Sequence, residues 1–322
     1  MTRMFQSAAL ALALAGAAQA AGFPERPVHI IVGFGAGGAS DIAARVIANK
    51  MAEALGQQVV VENKPGASTS IAGDYVAKSP PDGYTLYQAG NANAVNAVSE
   101  PPPSFDIMTA FDPVGVAISA PTVLVAHPSS GINSMKDLIA YAKAHPRQIM
   151  YASSGAGSVS NLTAELLAHE QGIKLTHVPY KGSTPAMTDL LAGRVQISFA
   201  PISTALPFIK DGKLNALAVT SPRRQEQLPD VPTLEELGVK GTDINIWSGF
   251  VVPHGTLPER IAKLGDALQK ALASPDLRRQ LGVHGIEVTP GEGPQAWTQH
   301  MAGDIEKIKK LIAATGMKIG KE

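Results

Sequence analysis

Two short segments of the chain have the composition of turns that bind anions through backbone amides. The first is Gly33-Phe34-Gly35-Ala36-Gly37-Gly38, which follows a predicted strand at 28–32 and precedes a predicted helix. The second is Ser153-Ser154-Gly155-Ala156-Gly157-Ser158, which follows a predicted strand at 148–152 and also precedes a helix. Glycine lets backbone N–H groups approach an anion closely, and the positive end of the helix dipole favours its charge. Each segment therefore predicts an anion-binding turn, with a purely structural helix-capping turn as the alternative.

Three further residues fall beside the second turn. Asn161 lies one helical turn further on, where its amide could face the same space. Tyr180 and Gly182 follow the predicted strand at 175–178, which would bring a phenol and a backbone amide to the same rim. Lys181, between them, is expected to be solvated, as lysine usually is. Asn161, Tyr180 and the Gly182 amide are thus candidate contacts.

The first turn also matches the dinucleotide-binding pattern G-x-G-x-x-G. Glu62 comes just past the second predicted strand, where such folds keep the acidic residue that binds a ribose. A nucleotide-dependent oxidoreductase is therefore an alternative hypothesis. The compartment counts against it, because the chain begins with an export signal that lacks the twin arginine of prefolded cofactor enzymes.

The first twenty residues have the layout of a secretory signal peptide. Arg3 gives a positive start, residues 8–18 are apolar, and Ala18-Gln19-Ala20 is a small-x-small cleavage site. The apolar stretch is too short to cross a bilayer. Because the chain contains no cysteine, neither a lipid anchor nor a disulfide is expected. We predict an exported, soluble mature protein that begins near Ala21.

Other chemistries lack the residues that they need. The eight histidines show neither H-x-H nor H-E-x-x-H spacing, so no metal site is expected. The chain has no G-x-S-x-G elbow, and residues 181–184 (Lys-Gly-Ser-Thr) lack the upstream glycine of a phosphate loop. The 27 lysines and arginines balance the 27 aspartates and glutamates, which does not favour nucleic acid. We expect no catalytic residue and no cofactor, hence a protein that binds rather than reacts.

Hydrophobic periodicity places the two turns in similar α/β units. It predicts strands at residues 28–32, 59–61, 84–87, 123–126, 148–152, 175–178, 195–199, 214–219 and 246–252. It predicts helices at residues 41–55, 71–78, 134–144, 162–167, 185–191, 258–272, 276–281 and 294–314, with Ser40 as the N-cap of the first. Such alternation predicts parallel sheets covered on both faces, and a chain of about 300 mature residues favours two domains.

Seven segments, in order along nearly the whole mature chain, carry a family resemblance. They are 36–41 (AGGASD), 61–67 (VENKPGA), 81–86 (PDGYTL), 151–158 (YASSGAGS), 179–183 (PYKGS), 190–193 (LLAG) and 247–249 (WSG). With this set the chain resembles the periplasmic receptors of tripartite tricarboxylate transporters, the Bug-type solute-binding proteins. The resemblance implies an α/β type II periplasmic-binding-protein fold, in which two lobes close on a ligand in the cleft between them.

The resemblance also implies which residues hold a ligand carboxylate, partly through ordered water. In the first lobe they are Gly37, Gly38, Ala39, Ser40 and Asp41; in the second they are Ser153, Ser154, Gly155, Gly157, Ser158 and Tyr180. We expect lobe one to comprise residues 21–120 and 246–322, and lobe two residues 121–245. The expected partners of this periplasmic monomer are a small carboxylate and an integral-membrane permease. A sensing module for a membrane signalling receptor shares the fold and is the alternative.

Three departures from the family pattern lie close to the expected pocket. Gly33 and Gly35 stand where the family usually has proline, which predicts a more mobile first turn. Asn161 stands where histidine is common, and residues 67–70 replace a run richer in glycine. The identity of the ligand is therefore not carried over by the resemblance.

Overall fold

The structure, a computed structural model, describes residues 22–180, 182–239 and 246–316. The predicted signal peptide at 1–20 and Lys181 lie outside the described residues. The strands are β1 (Val28–Val32), β2 (Val59–Asn63), β3 (Thr85–Gly90), β4 (Phe111–Ala120), β5 (Thr122–Ala126), β6 (Met150–Ser153), β7 (Thr176–Pro179), β8 (Ile197–Pro201), β9 (Asn215–Val219), β10 (Ile246–Pro253) and β11 (Glu287–Val288). The helices are α1 (Ala39–Leu55), α2 (Ser70–Ala77), α3 (Asn91–Ala97), α4 (Met135–Ala144), α5 (Val159–Gln171), α6 (Ser183–Leu191), α7 (Ile202–Lys210), α8 (Pro258–Ala273), α9 (Pro275–Gly282) and α10 (Pro294–Thr315). The predicted alternation of strands and helices is confirmed.

The first sheet contains six strands in the order β11-β4-β10-β3-β1-β2. β1 lies between β2 and β3 and is parallel to both, with Ile31 opposite Glu62 on one side and Tyr87 on the other. This is the parallel unit expected from the sequence. The sheet as a whole is mixed rather than parallel, because β10 returns from the other half of the molecule and runs antiparallel to β3 and β4.

The second sheet repeats the layout of the first with five strands, in the order β7-β6-β8-β5-β9. β6 takes the central place of β1 and is parallel to β7 and β8. β5 is antiparallel to β8 and β9, as β10 is to its neighbours in the first sheet. The two halves therefore share one α/β architecture, which confirms the expected two-lobe fold.

Each sheet buries both of its faces. In the first sheet Val28, Ile30 and Val32 pack with α1, α8 and α9, whereas Ile31 and Tyr87 pack with α2, α3 and α10. In the second sheet one face packs with α4 and α5 and the other with α6 and α7. Side chains of a strand alternate between faces, so a continuous apolar run such as residues 123–126 of β5 is suited to a sheet covered on both sides.

The halves are joined at the ends of β4 and β9. Only Pro121 separates β4 from β5, and the segment from β9 to β10 returns to the first sheet. Leu162 of α5 packs in the same cluster as Trp247 and Trp297, so α5 contacts the first half. Trp247 is buried and its Nε1 donates to Asp304 at 2.6 Å, so this tryptophan packs between the two halves.

The helices of the described ranges show no membrane-spanning character. None of them combines the length and the uninterrupted apolar surface that a bilayer crossing requires.

Candidate functional site

Both glycine-rich turns lie at the carboxyl ends of parallel strands. Residues 33–38 follow β1, and residues 154–158 follow β6, the strand in the equivalent position of the second sheet. The connections after β2 and β7 reach the same edges, because these strands are parallel to β1 and β6. In sheets of this kind ligands bind beyond the carboxyl ends of the strands, next to helix N-termini. This edge of each sheet is the candidate site.

The first turn leaves the start of α1 without a side-chain cap. Gly37 has a φ of 80°, a conformation that favours glycine, and turns the chain into the helix. Gly38 is the N-cap and has no side chain to accept the first-turn N–H groups. Ser40, expected to be the N-cap, is instead the second helical residue, because the helix already begins at Ala39. Residues 34–38 are exposed, so an anion can approach the uncapped end of α1.

Asp41 holds the first turn from inside the lobe. Its side chain is buried and accepts hydrogen bonds from the Gly37 N–H at 2.9 Å, Asn63 Nδ2 at 2.9 Å and Arg45 Nε at 3.1 Å. Burial alone would raise the pKa of Asp41, but the hydrogen bonds from Arg45, Gly37 and Asn63 outweigh it and hold the pKa below its ordinary value. The carboxylate therefore fixes the Gly37 amide, and its oxygens already have partners.

The connection after β2 packs against the beginning of the first turn. Residues 67–69 have φ values between 44° and 77°, and Thr69 is buried. A Cβ atom on Gly33 would lie 2.5 Å from the Cβ of Thr69, so residue 33 has room only for glycine. Tyr87 Oη donates to the Thr69 carbonyl at 3.1 Å, and Asn93 Nδ2 donates to Thr69 Oγ1 at 3.3 Å. These bonds stabilise a backbone conformation that non-glycine residues seldom adopt.

A buried serine braces the base of the second turn. Ser153 Oγ accepts the Gly155 N–H at 3.1 Å and lies 3.0 Å from the Gly155 carbonyl oxygen. The Nε2 atom of His177 lies 2.6 Å from the same hydroxyl oxygen. Ser153 is fully buried, so its hydroxyl supports the turn from below and its side chain does not reach solvent.

Ser158 and Ser160 hold the other end of the second turn. Ser158 is the N-cap of α5; its hydroxyl accepts the Asn161 N–H at 3.3 Å and donates to the Gly155 carbonyl at 2.6 Å. Ser160 Oγ accepts the Ser154 N–H at 3.0 Å. Residues 154–156 are half-exposed; because the N–H groups of Ser154 and Gly155 are already engaged by Ser160 and Ser153, Ala156 is the residue of this stretch whose amide can turn to a ligand.

Asn161 holds the second turn as Asp41 holds the first. Each is the third residue of its helix, and each accepts the N–H of the glycine four residues earlier, with 2.9 Å between Gly157 N and Asn161 Oδ1. Gly157 has a φ of 73°, close to that of Gly37. The two lobes therefore build their turns in the same way.

Tyr180 joins the second turn through its backbone. Its N–H donates to the Ser153 carbonyl at 3.0 Å. Its hydroxyl donates to Asp189 Oδ2 at 2.8 Å, and Asp189 also pairs with Arg194. Burial and the hydrogen bond to Asp189 raise the pKa of Tyr180 to about 12, so the phenol keeps its proton at neutral pH. The hydroxyl expected to reach the ligand has Asp189 as its partner.

The structure thus brings the predicted site residues together in two clusters. Within each cluster some residues form the exposed turn and others hold it from inside, which the sequence pattern does not show. Gly37, Gly38, Ala39 and Ser40 form one helix start, and Ser153, Ser154, Gly155, Gly157 and Ser158 form the other. The supporting side chains Arg45, Asn63, Tyr151, Ser160 and His177 were not predicted. The shared spacing Gly37-x-x-x-Asp41 and Gly157-x-x-x-Asn161 is the sequence signal that could have identified the pairing.

The strand order does not favour the dinucleotide hypothesis. Dinucleotide-binding folds place β1 at the centre with β2 and β3 on the same side of it, in the order 3-2-1. Here β1 lies between β2 and β3. Glu62, the expected ribose ligand, lies 2.6 Å from His29 Nδ1 and is thereby engaged by the neighbouring strand.

Two other kinds of site can be compared with the turns. A groove of about 270 Å³ lies between α5 and α10, lined by the apolar Leu162, Leu166, Ile308, Leu311 and Ala314 and by the polar Asn91, His169, Glu170, Asp304, Lys307 and Lys310. Most of its surface is apolar, which does not compensate the desolvation of an anion, whereas the exposed amides at the uncapped start of α1 do. In the ranges that the structure describes, no three His, Asp or Glu side chains are grouped to hold a metal ion.

The chain is similar to known proteins along most of its length. The family described as tripartite tricarboxylate transporter family receptor matches residues 43–317. A relative from Pseudomonas sp. strain P51, encoded between tcbD and tcbE, is 37% identical over 90% of this chain and 86% of its own length. The solved periplasmic binding protein BugD is 34% identical with a TM-score of 0.84, over 93% of this chain and 100% of its own. An R. palustris protein solved with adipate is 34% identical with a TM-score of 0.85, over the same shares of the two chains.

Proposed function

Because this chain belongs to the family of tripartite tricarboxylate transporter receptors, we propose that it captures a small carboxylate between two α/β lobes and delivers it to an integral-membrane permease. Its similarity to a periplasmic binding protein supports a place in the periplasm, reached by way of the predicted signal peptide at residues 1–20. The adipate in the similar R. palustris structure supports a carboxylate as the ligand.

The observation that carries the proposal is the pair of matched helix starts. Each lobe places exposed or half-exposed residues of a glycine-rich turn at the N-terminus of a helix, and the turn is held by Asp41 in one lobe and by Asn161 in the other. A carboxylate has enough lone pairs to accept from both turns at once. Charge-assisted hydrogen bonds contribute about 1.5–3 kcal/mol each, so a few of them, offset by ordering costs, suffice for the roughly −8 kcal/mol of micromolar binding.

The proposed lobes follow the two sheets. Lobe one comprises residues 21–120 and 246–322, which include β1–β4, β10 and β11; lobe two comprises residues 121–245, which include β5–β9. The crossings at Pro121 and after β9 act as the hinge. A ligand that bridges both turns shifts the population towards the closed form, since only that form makes both sets of contacts. The receptor acts as a monomer.

Binding without chemical turnover is supported by the surroundings of the second turn. Ser153 and His177 are within hydrogen-bonding distance, as in a nucleophile activated by a base. Ser153, however, is fully buried, and its hydroxyl is engaged by Gly155. A nucleophile must reach its substrate, so this pair braces the turn.

The proposal is tested by a thermal-shift screen of residues 21–322 against mono-, di- and tricarboxylates. A ligand at about 100 times its Kd stabilises the folded state by about 2.7 kcal/mol, which raises the Tm by about 5 °C. We expect such a shift with at least one carboxylate, and recovery of that carboxylate unchanged by NMR. A flat screen, or conversion of the ligand, would contradict the proposal. Loss of carboxylate uptake on deletion of the gene separates transport from sensing, because a sensor would leave uptake intact.

A further inference from the structure

A chain of hydrogen bonds runs from the second turn to a carboxylate one turn along α5. The Gly157 N–H donates to Asn161 Oδ1 at 2.9 Å, Asn161 Nδ2 donates to Tyr151 Oη at 2.7 Å, and Tyr151 Oη donates to Glu165 Oε1 at 2.5 Å. Asn161 and Tyr151 are 3% and 1% exposed, so water does not compete for these groups. Glu165 is half-buried and forms the outer end of the chain.

The direction of this chain is set at its Glu165 end. A carboxylate only accepts, so the single proton of the Tyr151 hydroxyl goes to Glu165. Burial and the hydrogen bond to Glu165 raise the pKa of Tyr151, so the proton stays on the phenol. The phenol oxygen can then only accept, which directs the NH₂ group of Asn161 to Tyr151 and its carbonyl to Gly157. The reverse orientation would place two donors against each other at Gly157.

In the first lobe, Asp41 accepts the Gly37 N–H without such a chain of hydrogen bonds. Both oxygens of Asp41 accept, so its orientation needs no further control. The residue four positions on is Arg45, which pairs with Asp41 directly; the residue four positions after Asn161 is Glu165, which acts through Tyr151. At the third helical position, a neutral amide therefore needs an acceptor for its NH₂ group, so that its carbonyl faces the glycine N–H. A carboxylate at that position instead needs a cation that neutralises its charge.

We infer that Tyr151 and Glu165 are positioning residues of the carboxylate site, which orient the Gly157 turn through Asn161. The ring of Tyr151 also stacks on His177, with centroids 4.8 Å apart and planes 18° apart, and His177 lies against the Ser153 hydroxyl. Tyr151 thus supports both ends of the turn. This inference rests on the proposed function, because it assigns the two residues a role in binding a carboxylate.

The test compares Tyr151→Phe, Glu165→Ala and Glu165→Gln, with Glu170→Gln as the matched control on the exposed surface of α5. Adipate affinity is measured by calorimetry well below the Tm, and the Gly157 amide is followed by NMR in the ligand-free protein. Loss of one oriented hydrogen bond is expected to weaken adipate binding about tenfold in Tyr151→Phe and Glu165→Ala. Glutamine still accepts the phenol proton, so Glu165→Gln stays within about threefold of the wild type, and Glu170→Gln is unchanged.

The two readouts separate the possible failures. A shifted, faster-exchanging Gly157 amide together with weaker binding supports the inference. Wild-type affinity and an unchanged Gly157 amide in Tyr151→Phe and Glu165→Ala would overturn it. If the wild-type protein binds no carboxylate, the proposed function fails, whereas the Gly157 amide still shows whether Tyr151 and Glu165 orient the turn.

Discussion

Replacing Asn161 with aspartate should destabilise the second lobe, even though aspartate occupies the equivalent position of the first. Asp41 is neutralised by Arg45, with 3.0 Å between Arg45 Nη2 and Asp41 Oδ1. The Tyr151 hydroxyl would then face a carboxylate at residue 161 on one side and Glu165 on the other. One phenol proton cannot serve two carboxylates, so one of them would be left unpaired in a buried setting.

The size of the effect follows from the distances. The Tyr151 oxygen lies 2.7 Å from Asn161 Nδ2 and 2.5 Å from Glu165 Oε1, so the two carboxylates would be about 5 Å apart or closer. At an effective dielectric constant of 20, two unit charges at that distance repel by about 3 kcal/mol. Partial exposure of Glu165 reduces this to about 2 kcal/mol, and the lost amide hydrogen bond adds about 1 kcal/mol. We expect a Tm lower by about 5 °C near pH 7.

The loss should depend on pH with a definite sign. Repulsion raises the folded-state pKa of one of the two carboxyl groups above its unfolded value, so the folded variant takes up a proton first as the pH falls. The penalty is full above the raised pKa and is lost only as the pH falls to the unfolded-state value of about 4, so the variant should lie closer to the wild type at pH 5 than at pH 7. Adding Glu165→Gln should restore most of the stability, because the repulsion is gone and glutamine can donate to the phenol oxygen.

Urea denaturation of both variants near pH 7 and pH 5 provides the measurement. Asn49→Asp, on the exposed side of α1, is the control for the change of residue type and should cost no more than about 0.5 kcal/mol. Equal stability of Asn161→Asp and wild type near pH 7 would refute the account. The reasoning would also be refuted if Asn161→Asp lost the same unfolding free energy at both pH values, or if adding Glu165→Gln did not restore it.

Three further predictions concern the turns. Gly38→Leu should lower the affinity for a carboxylate found in the thermal-shift screen about tenfold or more in calorimetry, with little change in Tm, because its φ of −79° admits a side chain and the nearest atom is 3.6 Å away. The control Gly303→Leu should keep wild-type affinity, and equal affinities of the two variants would contradict the site. Asp41→Asn should flatten the fall of Tm between about pH 5 and pH 3. The lowered pKa of Asp41 gives stability that is present above the unfolded-state pKa of about 4 and is lost as the pH falls through the folded-state pKa. A fall of Tm in this range that matches the wild type would contradict this. Ser158→Ala should cost about 1 kcal/mol of unfolding free energy in urea, the usual loss for an N-cap, and a neutral result would show that the cap is dispensable.

The sequence predicts most strands and both turns, because these depend on local composition, but it misses β4 (Phe111–Ala120), whose apolar pattern is interrupted by Asp112, Pro113 and Gly115, and the short β11 (Glu287–Val288). β1 has the predicted bounds, and both glycine turns lie where the pattern places them. α3 is missed because residues 91–97 (NANAVNA) contain three asparagines, which have low helix propensity. α7 is missed because Pro207 lies inside it. Tertiary packing overrides propensity in both helices.

The orientation of side chains within the turns is not predictable in the same way. Asn63 reaches the first turn from β2, and Tyr151 reaches the second from β6, so their contacts depend on the assembled sheets. Asp41 and Asn161 have the chemistry of ligand contacts, but their atoms are directed to Gly37 and Gly157. Composition shows that a polar group is present at the turn; only the fold shows which neighbour receives its hydrogen bond.

The claim that both lobes bind one carboxylate is tested most directly by NMR titration of the wild-type protein with a carboxylate that stabilises it in the thermal-shift screen. We expect the amides of residues 35–38 and of residues 154–158 to shift together and to give a single Kd. Shifts confined to one turn, or two turns that titrate with different Kd values, would contradict it.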